Sequence, residues 1–133
     1  MNSSENKSII REKAAEWGRK GEALTREYLI KHGFPITEAN WRCGNHLEVD
    51  IISQQGEEMV FIEVKTRNGR FNSAEEAIDE KKIKQIVKAA NAYLSALDKP
   101  YNARFDVALI EGTPENYEFT YIENAFIPPL IAR

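Results

Sequence analysis

The segment from residue 58 to residue 67 combines an apolar composition with charged residues that could take part in chemistry. Its β-branched and aromatic residues predict a strand. Because successive side chains of a strand point to opposite faces, Phe61, Glu63 and Lys65 would share one face. Charged groups in an apolar strand are costly to bury unless they are paired or bind a metal. Glu63 and Lys65 are therefore candidates for a functional site.

A second acidic segment precedes this strand across a short, glycine-containing turn. Strict alternation of apolar and polar residues puts Val49 and Ile51 on one face of a further strand. Glu48 and Asp50 then lie on the opposite face. The turn predicts a hairpin, so the two strands should pair antiparallel. If their faces match, Asp50 and Glu63 project on the same side.

Two carboxylates from adjacent strands can supply the oxygen ligands that Mg²⁺ prefers. A water molecule in such a site can become a nucleophile, and Lys65 would position it or neutralise charge as a phosphodiester is attacked. Glu22, at the border of the apolar stripe of a predicted helix, would add a ligand directly or through water. The pattern predicts a site for Mg²⁺ or Mn²⁺ with Asp50, Glu63 and Glu22 as ligands. The residues alone leave open a cross-strand ion pair on a solvated sheet face, worth about 0.2–1 kcal/mol.

Hydrophobic periodicity outlines the elements that must position these residues. Apolar residues at three- and four-residue steps predict two helices, and alternating or apolar segments predict five strands. Ser73, with Glu76 three residues later, matches the capping-box pattern for the start of the second helix near Ala74. The predicted order is helix, three strands, helix, two strands. The predicted bounds are 10–31 and about 74–100 for the helices, and 34–41, 47–52, 58–67, 104–110 and 117–122 for the strands.

Gly18 and Gly21 lie inside the first predicted helix, where each costs up to about 1 kcal/mol relative to alanine. Their position predicts a close approach to the helix backbone, either by another element of the fold or by a phosphate group of a ligand. Gly33 follows the same helix and is suited to its C-cap.

Length and composition bound the class of protein. The chain has 133 residues, 42% of them apolar and 29% charged, which is typical of one soluble domain. No apolar run approaches the roughly 20 residues of a membrane span, and the N-terminus lacks the apolar core of a secretory signal. The single Cys43 cannot form an internal disulfide. We therefore expect a cytoplasmic protein without membrane contact. The expected organisation is a disordered segment 1–9, one domain 10–124, and an apolar, proline-containing tail 125–133 that packs on the domain or on a partner.

Basic residues form two local clusters, although the net charge is −3. The first comprises Lys65, Arg67 and Arg70, and the second lies within 81–88. A basic cluster is typical either of a solvated face or of a surface that binds the phosphate groups of nucleic acid. Arg67 and Arg70 lie near Phe71 after the predicted third strand, which suits contact with a nucleic-acid backbone. The predicted nucleic-acid contacts are Arg67, Arg70, Lys81 and Lys82.

Short runs of residues carry a resemblance that covers nearly all of 10–124. These runs are Gly18-Arg19-Lys20-Gly21-Glu22, Tyr28-Leu29, Gly33-Phe34, Asn40-Trp41-Arg42, Glu48-Val49-Asp50-Ile51-Ile52, Phe61-Ile62-Glu63-Val64-Lys65-Thr66-Arg67, Lys82, Ala89-Ala90, Tyr93-Leu94 and Arg104-Phe105-Asp106-Val107. With them the sequence resembles the YraN family, a widespread family of uncharacterised bacterial proteins. That family is similar to the restriction-endonuclease-like PD-(D/E)xK superfamily and, within it, to archaeal Holliday junction resolvases.

The resemblance implies an α/β fold with a restriction-endonuclease-like αβββαβ core, in which helices flank a mixed central sheet. It implies catalytic positions at Glu22, Asp50, Glu63 and Lys65. It also singles out Lys82, on the second helix, as an auxiliary base or a phosphate ligand. The corresponding activity is Mg²⁺- or Mn²⁺-dependent endonuclease cleavage of DNA, including branched DNA, for which a homodimer would be the suitable assembly.

Two further functions remain open from the sequence. The first is a non-catalytic nucleic-acid-binding or adaptor protein that retains the nuclease fold, because fold alone does not dictate function. The second is a domain that binds a protein partner through its apolar tail. The first predicts salt-sensitive nucleic-acid binding without product, and the second predicts no nucleic-acid affinity at physiological salt.

Overall fold

The computed structural model describes residues 3–70 and 77–128. Two helices and five strands follow one another in these residues, in the predicted order of helix, three strands, helix and two strands. They are α1 (Ser3–Lys31), β1 (Glu38–Cys43), β2 (Leu47–Gln55), β3 (Glu58–Arg67), α2 (Glu80–Ser95), β4 (Asn102–Thr113) and β5 (Asn116–Ile122).

The five strands form one mixed sheet in the order β1-β2-β3-β4-β5. β3 and β4 run parallel, and the other neighbouring strands run antiparallel. α2 lies between β3 and β4 in the chain and so belongs to the crossover that two parallel strands require. The architecture is an α/β arrangement with a mixed central sheet, as the sequence predicted.

The two helices cover opposite faces of the sheet. Leu29 of α1 packs in a cluster with Ile62, whereas Ile86 of α2 packs in a cluster with Phe61. Because neighbouring residues of a strand point in opposite directions, Ile62 marks the α1 face and Phe61 marks the α2 face. Glu63 follows Phe61 by two residues and therefore belongs to the α2 face.

The close approach of α1 to the sheet explains its internal glycines. The buried residues of α1 recur at every fourth position: Trp17, Gly21, Thr25 and Leu29. A methyl group at Gly21 would collide with Thr66 Cγ2 and would lie 3.4 Å from Ile110 Cδ1. At Gly18 it would lie 3.9 Å from Thr66 Oγ1. Of the two explanations open from the sequence, the structure shows packing against another element.

One end of α1 agrees with the sequence prediction and the other does not. Gly33 has a φ of +80°, and the N–H of Phe34 donates to the carbonyl of Leu29 over 2.9 Å, which is a C-cap geometry. The helix begins at Ser3, however, so residues 3–9, expected to be disordered, are helical. This exposed segment contains neither glycine nor proline, and its Glu5 and Lys7 favour continuation of the helix into solvent.

β1 begins later than predicted, at Glu38 instead of Phe34. Pro35 has no backbone N–H to contribute to a ladder. The first backbone hydrogen bond from this segment to β2 is donated by Thr37 to the carbonyl of Ile52, over 2.8 Å. The chain therefore joins the sheet only after the proline.

α2 begins at Glu80, and the helix start predicted near Ala74 lies outside the described residues. The carboxylate of Asp79 accepts a 2.8 Å hydrogen bond from the backbone N–H of Lys82, which makes Asp79 the N-cap. The capping box proposed at Ser73 lies outside the described residues. Asp79 is not followed three residues later by the Glu or Gln that marks a capping box, so it does not match that pattern.

β2 departs from the strict alternation that the sequence predicted. Val49 packs in the α2-side cluster that contains Phe61, whereas Ile51 packs in the α1-side cluster that contains Ile62. The ladder pairs of β1 and β2 lie on both sides of Asn40 and Asp50, and Asn40 has a φ of +52°. The predicted common face of Val49 and Ile51 is therefore wrong, because the alternation changes at Asp50.

The beginning of the C-terminal tail packs on the sheet from which it emerges. The N–H of Ala125 donates to the carbonyl of Phe105 over 2.7 Å, and the ring of Phe126 stacks on the ring of Phe105 at 5.1 Å. Ile127 is exposed, and residues 129–133 lie outside the described part. In residues 3–70 and 77–128, neither helix has the combination of length and hydropathy that crossing a membrane requires.

Candidate active site

Asp50 and Glu63 occupy adjoining positions on β2 and β3. The antiparallel ladder pairs Ile51 with Ile62. Asp50 directly precedes Ile51 on β2, and Glu63 directly follows Ile62 on β3. Here Asp50 Oδ2 accepts a 2.8 Å hydrogen bond from the backbone N–H of Val64. The side chain of Asp50 thus reaches across to β3, beside the residue that carries the second carboxyl group.

The environment of Asp50 disfavours its negative charge. Burial is the largest influence and raises the pKa of Asp50 to about 6. The hydrogen bond from Val64 and the ammonium of Lys82 act in the opposite direction, whereas the charges of Glu22 and Glu48 raise the pKa further. An ionised Asp50 would therefore be stabilised by an additional cation.

The pKa of Glu63 is raised further than that of Asp50. Its exposure is only 5%, and this burial, followed by the nearby charge of Asp50, raises the pKa of Glu63 to about 8. The ammonium groups of Lys82 and Lys65 lower the pKa but do not outweigh these two influences. Asp50 and Glu63 are thus two acidic groups that repel each other in a site with little access to water.

Two lysines bring positive charge to this pair. Lys82 lies in the first turn of α2, which the cap at Asp79 fixes, and its Nζ lies 3.7 Å from Glu63 Oε1. Lys65 is partly buried and lies two residues after Glu63 on the same strand. The structure thus brings together Asp50, Glu63, Lys65 and Lys82.

Glu22 and Glu48 complete the acidic surroundings. Glu22 is partly buried on α1, at the border between core and solvent that the helical pattern predicted, and its charge acts on Asp50. Glu48 acts on both Asp50 and Glu63, yet sequence reasoning did not select it as a site residue. Its signal was its position two residues before Asp50. Glu48 also lies 3.7 Å from a guanidinium nitrogen of Arg42.

The donor set fits a hard divalent cation held by few protein ligands. Among the described residues, no three His, Cys, Asp or Glu side chains are grouped closely enough to hold a metal ion by themselves. Asp50 and Glu63 nevertheless offer carboxylate oxygens whose mutual repulsion a cation would relieve. Mg²⁺ commonly takes one or two carboxylates and keeps several waters, so this pair suits it, with Glu22 and Glu48 able to contribute through water.

The residues predicted to contact nucleic acid differ in their exposure and in their partners. Arg67 is exposed at the end of β3, and Lys81 is exposed beside Lys82 on α2. Arg70 is exposed too, but its guanidinium group lies 2.7 Å from a carboxylate oxygen of Glu118. Phe71 lies outside the described residues. The end of β3 and the start of α2 therefore carry exposed cationic side chains on the strand of Glu63 and on the helix of Lys82.

A second buried carboxylate, Asp106, has a structural role. It is 1% exposed and pairs in register with Ile62, which puts it on the α1 face, away from Glu63. Asp106 accepts two hydrogen bonds from Arg104 at 3.0 and 2.9 Å, one from the Tyr121 hydroxyl at 2.6 Å and one from the N–H of Asn124 at 2.9 Å. These four hydrogen bonds satisfy the carboxylate of Asp106 within the fold.

Comparison with known sequences identifies close relatives of unassigned activity. The model of the uncharacterised protein family UPF0102 matches residues 21–110. A UPF0102 protein of Bacteroides thetaiotaomicron is 42% identical over 116 residues, covering 86% of this chain and 95% of that protein. A UPF0102 protein of Phocaeicola vulgatus is 39% identical over 116 residues, with the same coverage of both chains.

Among solved structures, the chain is similar to Hjc, a Holliday junction resolvase from Archaeoglobus fulgidus. The TM-score is 0.50, the sequence identity is 22%, and the similarity covers 80% of this chain and 72% of that chain. At this identity the likeness shows the fold alone. It confirms the predicted restriction-endonuclease-like α/β fold.

Proposed function

The chain belongs to the uncharacterised protein family UPF0102, also called YraN, and we propose that it is a Mg²⁺- or Mn²⁺-dependent endonuclease acting on DNA. The observation that carries this proposal is the pair of adjoining carboxylates, Asp50 and Glu63, in a site with two lysines. A structural ion pair would need no second acid beside it. A buried acid whose pKa is raised by a neighbouring carboxylate, as that of Glu63 is by Asp50, is typical of a functional site.

In this proposal Asp50 and Glu63 hold the cation directly, and Glu22 holds it directly or through water. Glu48 joins Glu22 in this outer position. When bound, the divalent cation would supply positive charge to the phosphate group and make a nearby water easier to deprotonate. The hydrogen bond from Val64 to Asp50 Oδ2 fixes the orientation of that carboxylate, which keeps the site preorganised.

Lys65 acts on the reacting phosphate. Its ammonium group lies on the strand of Glu63 and would donate hydrogen bonds to the attacking water or to a phosphoryl oxygen as negative charge develops there. In the reaction the water oxygen loses a proton to solvent and forms a bond to phosphorus, the bond from phosphorus to the leaving sugar oxygen breaks, and that oxygen takes up a proton from solvent. Lys82 assists as an auxiliary base or a phosphate ligand.

The DNA would lie across the end of β3 and the start of α2. Arg67, Arg70 and Lys81 are exposed there and would contact phosphate groups, which position a nucleic acid without reading its sequence. Branched DNA is the substrate that we propose, because the fold is shared with a Holliday junction resolvase. A symmetric dimer would present two such sites to two strands. We propose that the protein acts in the cytoplasm.

The test is a cleavage assay with an end-labelled four-way DNA junction, a linear duplex and a single strand of the same sequence. The wild-type protein should yield product only with Mg²⁺ or Mn²⁺. Asp50→Asn and Lys65→Ala should each lower the rate by at least about 100-fold, since each removes a charge used in the transition state. Lys84→Ala is the matched control, because Lys84 is exposed and pairs with Glu80. Undiminished cleavage by Asp50→Asn would refute the site.

The ion pair between Lys82 and Glu63 favours a second candidate, a DNA-binding protein that keeps the nuclease fold without turnover. In that case the lysine balances the carboxylates permanently, and no cation is required. The candidate predicts salt-sensitive binding of the same junction without product. Titration of the folded protein with Mg²⁺ separates the two functions, because only the nuclease should gain stability from the metal.

A further inference from the structure

The two buried carboxylates of the sheet are balanced in different ways. Asp106 is held by four hydrogen bonds of 3.0 Å or less. Glu63 has the Lys82 ammonium as its ion-pair partner, at 3.7 Å from Oε1. A hydrogen bond between nitrogen and oxygen is normally about 2.7–3.2 Å long. Lys82 therefore balances the charge of Glu63 without the short contact that fixes Asp106.

The side chain of Lys82 is accessible to water, whereas its backbone is held in place. Its side chain is 34% exposed, so water can reach the ammonium group, whereas the side chain of Glu63 is 6% exposed. The cap at Asp79 holds the backbone N–H of Lys82 over 2.8 Å. A lysine ammonium is a point charge on a flexible stem, which suits it to exchange between two partners.

The ammonium group of Lys82 acts on both acids of the site. The charge of Lys82 acts on Asp50 as well as on Glu63. A divalent cation bound to the same two carboxylates would repel a lysine that remained beside them. A cation at these carboxylates and the Lys82 ammonium would therefore compete for the same position.

We propose that Lys82 is an exchangeable counter-ion: a divalent cation displaces it from Glu63, and the released ammonium then binds a phosphate group of the DNA. This inference rests on the proposed function, because it assigns the cation to the same carboxylates. It adds a coupling between the two ligands. Metal binding makes one more positive charge available to DNA, and by linkage DNA makes metal binding tighter.

The first experiment measures Mn²⁺ affinity without DNA by isothermal titration calorimetry. Lys82→Met keeps an apolar stem and removes the competing charge, so it should bind Mn²⁺ about tenfold more tightly than the wild-type protein. Lys82→Arg keeps the charge and should bind no more tightly than wild type. Lys84→Ala, the exposed control on the same helix, should bind as wild type does. If Lys82→Met does not fold, Lys82→Gln gives the same comparison.

The second experiment measures binding of a fluorescein-labelled four-way DNA junction by anisotropy. Ca²⁺ replaces Mg²⁺ to prevent cleavage, and EDTA gives the metal-free state. The wild-type protein should bind the junction about tenfold more tightly with Ca²⁺ than with EDTA, and Lys82→Met should lose most of this gain. Lys84→Ala should retain the gain.

The outcomes separate this inference from the nuclease proposal. Equal Mn²⁺ affinities of wild type and Lys82→Met would overturn the exchange and leave the nuclease standing. An undiminished gain with Ca²⁺ in Lys82→Met would overturn the transfer of the ammonium to DNA. Failure of wild type and Lys82→Met alike to bind Mn²⁺ would overturn both proposals.

Discussion

The carboxylate of Asp50 on β2 accepts a 2.8 Å hydrogen bond from the backbone N–H of Val64 on β3. This bond joins two strands through a side chain at the point where the alternation of β2 changes. It engages Oδ2 of Asp50 and sets the carboxyl group beside Glu63. One structural bond therefore holds together the two acids of the candidate site.

Asp50→Asn should separate the stability of the site from its activity. An asparagine carbonyl can still accept the hydrogen bond from Val64, while the buried negative charge is lost. Because burial and like charges raise the pKa of Asp50 to about 6, removing the charge should raise the free energy of unfolding at pH 8 by about 1–2 kcal/mol. Urea denaturation in EDTA measures this, with DNA cleavage measured on the same sample.

The control is Asp50→Ala, which loses both the charge and the acceptor for Val64. It should be less stable than Asp50→Asn by about 1–3 kcal/mol, the cost of an unsatisfied buried donor. A variant Asp50→Asn that is less stable than the wild-type protein at pH 8 would show that the charge of Asp50 is not a burden in the folded state.

The acidic pair should make the metal-free protein less stable as the pH rises. The pKa of Asp50 rises from an ordinary 3.8 to about 6, and that of Glu63 from 4.5 to about 8. At a pH between the ordinary and the raised pKa of each group, the folded protein holds a proton that the unfolded chain has lost. This contribution to stability is therefore fully present below about pH 4 and falls as the pH rises, for Asp50 up to about pH 6 and for Glu63 up to about pH 8, by up to about 1.4 kcal/mol per pH unit for each such proton.

Urea denaturation from pH 4 to pH 9 in EDTA measures this slope. Glu63→Gln should remove the decrease between pH 6 and pH 8, because its amide does not titrate there. Mg²⁺ should stabilise the wild-type protein more at pH 8 than at pH 5, since it binds the ionised carboxylates. A wild-type protein that loses no more stability between pH 6 and pH 8 than Glu63→Gln does would contradict the assignment of a raised pKa to Glu63.

Much of the fold could be predicted because it follows from local patterns. The order of elements and the shared face of Phe61 and Glu63 depend on periodicity, which the residues of one segment determine by themselves. Gly33 ends α1 as predicted, because its positive φ is a local requirement. These features need no knowledge of what packs against them.

Other features could not be predicted because they depend on contacts between distant segments. Val49 and Ile51 fit strict alternation as a sequence, but packing on both faces of the sheet breaks it at Asp50. The spacing of Glu48 from Asp50 indicates a shared strand face, but the influence of Glu48 on Glu63 depends on the pairing of β2 with β3.

Gly21→Ala tests the packing of α1, the helix that positions Glu22. A methyl group at Gly21 would collide with Thr66 of β3 and lie 3.4 Å from Ile110 Cδ1. We expect a loss of about 1–3 kcal/mol in the free energy of unfolding, as is usual for overpacking. Gly18→Ala is the control, because its added methyl group would lie 3.9 Å from Thr66 Oγ1.

In the control the helical preference of alanine should dominate and stabilise the protein by up to about 1 kcal/mol. Thermal or urea unfolding of the two variants in parallel gives the comparison. Equal effects of the two substitutions would mean that Thr66 does not come closer to Gly21 than to Gly18.

Tyr121→Phe should weaken the fold without affecting the chemistry. It removes the hydroxyl that donates to Asp106 over 2.6 Å, and a hydrogen bond to a charged group contributes about 1.5–3 kcal/mol. Asp106 lies on the α1 face and Glu63 on the α2 face, so cleavage per folded molecule should stay unchanged. Tyr117→Phe, at a more exposed position of β5, should cost less than about 0.5 kcal/mol. A Tyr121→Phe protein of wild-type stability but impaired cleavage would place Asp106 among the groups that support the reaction, because its hydrogen bonds would then matter to the site on the opposite face.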